Sequence, residues 1–178
     1  MALDWQKQWS DAKKYFEDTT GKKKPNANVS KVFFKHASGL ETTIKGAEKA
    51  FGKAESAKDL TQKHIDDFVK AIADFAKVKN NYVKVLEAAV TKEISDQGEK
   101  TLYSKSCKYL QKQLEAIQGT METQVEWLKG KLQGLKTAEV MAASLIKTIQ
   151  GCVKKCVAAA AKVKTSPTKE TFDKTLYT

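Results

Sequence analysis

The sequence predicts an all-α protein: an antiparallel bundle of four long helices with coiled-coil-like seams and a short amphipathic helix at each terminus. Three observations carry this. Apolar residues recur at alternating spacings of three and four along most of the chain, the mark of a helix face that must be buried. The two prolines, Pro25 and Pro167, both fall between periodic stretches. The remaining composition is rich in Ala, Lys, Glu and Gln, which favour helix.

The longest periodic stretch, 58–136, reads as a hairpin of two helices folded back near Gly98. Its first arm carries Ile65, Val69, Ile72, Ala76, Val83, Leu86 and Val90, with Lys79 the one polar interruption. Its second carries Tyr103, Cys107, Leu110, Leu114, Ile117, Met121, Val125, Leu128, Leu132 and Leu135. The segment Ser95-Asp96-Gln97-Gly98 supplies the turn.

Ahead of the hairpin, residues 1–19 form a short amphipathic helix with Trp5, Trp9, Ala12 and Phe16 on one face. Residues 20–28, which hold Gly21, Lys22 to Lys24 and Pro25, form a basic linker. The bundle proper spans 29–165. Its first helix has Asn28 as candidate N-cap and a seam of Phe33, Ala37, Leu40, Ile44, Ala47, Phe51 and Ala54. After the hairpin a break at 134–137, with Thr137 as N-cap, starts the last long helix. There Ala138, Ala142, Leu145, Ile149, Cys152, Cys156, Ala159 and Val163 hold the seam without error, which predicts a buried face. Pro167 stops it, and 166–178 form a short helix and tail.

Charge narrows the function classes. The net charge is +11, and all 32 basic residues are lysine. Arginine is the side chain that forks onto phosphate or guanine edges, so sequence-specific nucleic-acid recognition is not expected. Non-specific attraction to an acidic protein or an anionic membrane surface remains open. No window reaches the ~18 uncharged apolar residues of a membrane span. The start, Met1-Ala2-Leu3-Asp4-Trp5, shows no secretory signal, so a cytoplasmic setting is expected, with signal-less export left open.

Three constellations bear on function. Cys152 and Cys156 stand one turn apart, and Cys107 lies on another seam, a weak candidate set for a soft metal. All three occupy positions that ask for a small apolar residue, so structural burial is the preferred reading, with no cofactor. Lys147, Lys154, Lys155 and Lys162 recur along the last helix, where six lysines face one acid, Glu139. They form an anionic-partner surface or a solvated face. Trp5 and Trp9, with Phe16, act as an interfacial anchor or as a latch over the hairpin, the latch being preferred because Asp4, Asp11, Glu17 and Asp18 oppose an anionic surface. Finally, the chain has no Glu-x-x-His pair, no Cys-x-x-Cys-His and no phosphate loop, and its two histidines, His36 and His64, are far apart.

The expectation is therefore a non-enzymatic interaction or assembly protein, self-associating or binding an acidic partner through a lysine-rich surface. The alternative is a membrane-active bundle engaging anionic lipid through the tryptophan helix or the basic last helix.

Overall fold

The computed structural model describes residues 4–21 and 26–165, with side-chain surroundings through 162. It contains α1 (Trp5–Gly21), α2 (Ala27–Glu55), α3 (Gln62–Glu93) and α4 (Gln97–Thr165), and no strand among the described residues. The all-α class holds, with helix packed on helix. Linker residues 22–25 and the expected C-terminal helix within 166–178 lie outside the described residues. The chain divides into two compact units, Met1–Leu132 and Gln133–Thr178.

The first unit is built by α1, α2, α3 and α4 as far as Leu132. Aromatic contacts fix the directions. Trp5 stacks on Phe68 at 6.1 Å and meets Phe51 edge-on at 6.2 Å. At the other end of α1, Phe16 stacks on Phe33 at 4.4 Å and meets Tyr103 at 6.1 Å. α1 therefore runs opposite to α2 and to the start of α4, and along α3. Short reversals at 56–61 and 94–96 complete an up-down-up-down bundle.

The α2 seam is buried at every predicted position from Phe33 to Ala54. The α3 seam keeps four of the predicted apolar positions and shifts by one residue at the other three. Ile65, Ile72, Leu86 and Val90 are buried, but Phe68, Phe75 and Tyr82 hold the places that the pattern assigned to Val69, Ala76 and Val83. Both sets satisfy the same spacing. The aromatics win because each removes far more apolar surface from water. Lys79 is half-buried, and its ammonium donates to Gln118 Oε1 at 2.7 Å.

The helix ends are set by polar contacts. Asn26, rather than Asn28, caps α2: its side-chain oxygen accepts from the N–H groups of Asn28 and Val29 at 3.1 Å each. Asn28 instead donates through Nδ2 to Glu93 Oε2 at 2.7 Å. Asp96 Oδ1 accepts from Glu99 N at 2.8 Å and starts α4. At the opposite end Lys131 Nζ donates to Glu55 O, a last carbonyl of α2, at 2.9 Å.

The helix break predicted at 134–137 is absent. α4 runs through it, and Thr137 Oγ1 donates back to Gln133 O at 3.0 Å, as an interior helical threonine does. One glycine costs a helix about 1 kcal/mol. That is too little to end it where no proline removes a backbone donor. The last predicted helix is thus the continuation of α4, and α1 is a full member of the first unit's core.

Candidate interaction surface

Residues 133–165 are helical for local reasons. Ala158 to Ala161, Leu145, Met141 and the lysines have high helix propensity, and the two glycines, Gly134 and Gly151, are isolated. At 100° per residue, Leu135, Met141, Ala142, Leu145, Ile146, Ile149, Cys152, Val153, Cys156 and Ala160 gather in an arc about 140° wide. Lys136, Lys147 and Lys154 lie opposite that arc, with Lys155 and Lys162 toward one side.

The predicted burial of this seam is not what the structure shows. Met141, Leu145, Ile146, Ile149 and Val153 leave 53–68% of their surface in water. Cys152 and Cys156 are exposed as well, against the expectation of structural burial. A three-four alternation states that a face needs a partner; it does not state that the partner belongs to the same chain. The flanking line Ile146, Val153 and Ala160 lies outside the single seam that the spacing predicts. Its repeat of seven was the available signal.

The other sequence candidates fall as follows. Cys107 is buried in the first unit, where burial and, secondarily, the Glu87 carboxylate push its thiol up to about 12. Cys107 belongs to the first unit and the Cys152–Cys156 pair to the second. No group of three metal-capable side chains occurs among the described residues. Lys147, Lys154, Lys155 and Lys162 are all exposed. Trp5, Trp9 and Phe16 are core residues of the first unit. A lipid anchor would first have to unpack them.

No protein family, curated protein or solved structure matches the chain.

Within the first unit the open spaces are grooves between helices. The α3–α4 groove, about 380 Å³, is floored by Val69, Ile72, Ala76 and Val125 and edged by Gln118, Glu122, Glu126 and Lys129. Between α1 and α2, a smaller groove of about 160 Å³ holds the Lys13–Glu41 ion pair at 2.8 Å. The hydrogen bond from Lys13 keeps the Glu41 carboxyl below its ordinary 4.5. A third, of about 330 Å³, holds His64 and Asp67 beside Lys49 and Lys53. There His64 Nδ1 is already engaged by the Thr61 backbone N–H at 3.2 Å. No helix among the described residues is long and apolar enough to cross a membrane.

Proposed function

We propose that this protein is a non-enzymatic interaction and assembly module whose working surface is the apolar stripe of residues 135–160, which docks onto another helix. The single observation that supports this is the exposure of Met141, Leu145, Ile146, Ile149 and Val153 on one side of a regular helix. Fully burying a side chain of this kind stabilises by about 1.5–3 kcal/mol, so an unpartnered row of five is a strong bias toward association. The stripe is about 39 Å long and about 10 Å wide, or about 400 Å² of helix envelope. That area falls in the range of about 300–600 Å² at which an exposed patch is commonly functional.

The spacing favours a helix over a lipid surface as the partner. Positions 138, 142, 145, 149, 152, 156 and 159 repeat every 3.5 residues. An undistorted helix drifts by about 20° per heptad from that repeat. A flat lipid surface does not require the strict repeat, whereas a second helix wound around this one does. The lysines opposite the stripe stay outside the contact, free to meet water or an acidic partner.

One observation favours anionic lipid as the second reading. The stripe and its lysines are exposed together, giving the basic amphipathic helix that lies on such surfaces. With Trp5 and Trp9 buried, that reading rests on the 133–165 segment alone.

Light scattering coupled to size exclusion tests the proposal, using the full chain and a Leu145→Lys/Ile149→Lys variant at low and high salt. Docking between copies through this apolar face gives association that survives high salt and is lost in the variant. A monomer that floats with anionic vesicles and is released by salt overturns helix docking in favour of lipid.

A further inference from the structure

We infer that the helix docking onto this stripe is the same stripe of a second copy of the chain; this inference rests on the helix-docking reading above. The seam is long enough. Its positions from Ala138 to Ala159 span just over three heptads, where a coiled coil becomes sustained at about 3–4. Its composition is self-complementary, since Leu145 and Ile149 form a bulky centre and Cys152 and Cys156 a smaller one beside it.

Charge placement separates a second copy from an acidic helix. A partner seated on the stripe meets the residues that flank the seam. On one flank stand Met141, Thr148, Lys155 and Lys162; on the other stand Glu139, Ile146, Val153 and Ala160. In a parallel pair the flanks bring Met141 to Ile146, Thr148 to Val153 and Lys155 to Ala160. In an antiparallel pair they bring Thr148 to Lys155 and Ile146 to Val153. Neither arrangement sets lysine against lysine, and both bury the second apolar line. An acidic helix would find lysines on one flank and Ile146 and Val153 on the other. Lys147 and Lys154 lie on the far side of the helix from the seam and do not oppose pairing.

The contact is modest. Two stripes of about 400 Å² fall below the about 1,200–2,000 Å² of a standard stable interface, so the pair exchanges with free chains as concentration changes.

The cysteines report on the pairing in either orientation. In a single chain Cys152 and Cys156 are exposed while Cys107 is buried, so a chromogenic thiol reagent under native conditions finds two fast thiols. Both sit on the seam, so pairing hides them. The experiment counts fast thiols in the full chain from about 1 µM to about 1 mM protein, the span that covers weak affinities. Mass is measured by light scattering on the same samples. The expected result is a fall from two fast thiols to none as the mass rises from 19.8 kDa to twice that value. The Leu145→Lys/Ile149→Lys variant should keep both thiols fast at every concentration. Its substitutions lie on an exposed helix outside the first unit's core and leave folding of that unit intact.

Two fast thiols and a 19.8 kDa mass throughout would overturn the inference. A parallel set with anionic vesicles then separates failure of self-pairing from failure of helix docking. Thiols that vesicles hide but concentration does not would overturn helix docking along with self-pairing. Thiols that neither hides would overturn self-pairing alone and leave docking to an unlike helix.

Discussion

The phenolic oxygen of Tyr103 lies 2.9 Å from the backbone nitrogen of Asn26 and accepts its N–H. This ties the start of α4 to the start of α2 across 77 positions of sequence. Asn26 also caps α2 and donates through Nδ2 to Glu93 O at 3.2 Å, so one residue joins three helices. Asn26→Ala should cost about 1–2 kcal/mol, the upper part of the cap range. Tyr103→Phe, which leaves a half-buried N–H without its acceptor, should cost about 1 kcal/mol. Urea unfolding of both and of the double variant checks this. Asn26→Ala removes only the side chain and keeps the backbone N–H that Tyr103 accepts, so the double loss should come close to the sum of the two single losses.

Trp5→Ala should be among the most damaging single changes in the first unit. Its indole is 1% exposed, stacked on Phe68 and edge-on to Phe51. Removing an aromatic from such a core costs about 3–5 kcal/mol. Trp127 touches Phe51 at 6.1 Å but is 45% exposed, so Trp127→Ala should cost well under half as much. Comparing the two urea midpoints tests the burial of α1 directly.

Tyr82→Phe should leave stability unchanged or raise it by about 1 kcal/mol. The Tyr82 hydroxyl is buried without a hydrogen-bond partner among the described residues, and burial raises its pKa. Its ring contact with Trp9 at 5.9 Å needs only the aromatic body. A destabilised variant in urea unfolding would contradict this reading of the core.

Cys107 should make the first unit sensitive to alkali. Its thiol is raised from 9.0 to about 12, first by burial and then by Glu87. The folded chain therefore keeps a proton that the unfolded chain releases. Stability is full below pH 9.0 and falls as the pH rises toward about 12. Cys107→Ala should flatten that fall, measured as the difference between wild type and variant in urea midpoints across this window.

Much of this molecule is legible in its sequence, and the failures have physical causes. The α2 seam from Phe33 to Ala54 was unambiguous because no competing apolar line flanks it. In α3 two lines one residue apart both fit the spacing, and periodicity carries no information about size, so the pattern alone does not separate Val69 from Phe68. Gly134 and Thr137 resemble a helix break at 134–137, yet either residue also fits a helix interior. The largest gap is the stripe around Leu145 and Ile149. Its pattern says that the face needs burial but carries no information about whether the partner lies in the same chain, and these residues are exposed.

Amide hydrogen exchange across Val140–Val157, read at low and high protein concentration, tests the central claim most directly. A helix whose apolar face is bare opens locally with little cost, whereas docking ties its opening to dissociation. Exchange in this segment should be fast when dilute and slow when concentrated, while the core of α3 from Ile65 to Val90 stays equally protected in both. Exchange in Val140–Val157 that is the same at the two concentrations would contradict that claim.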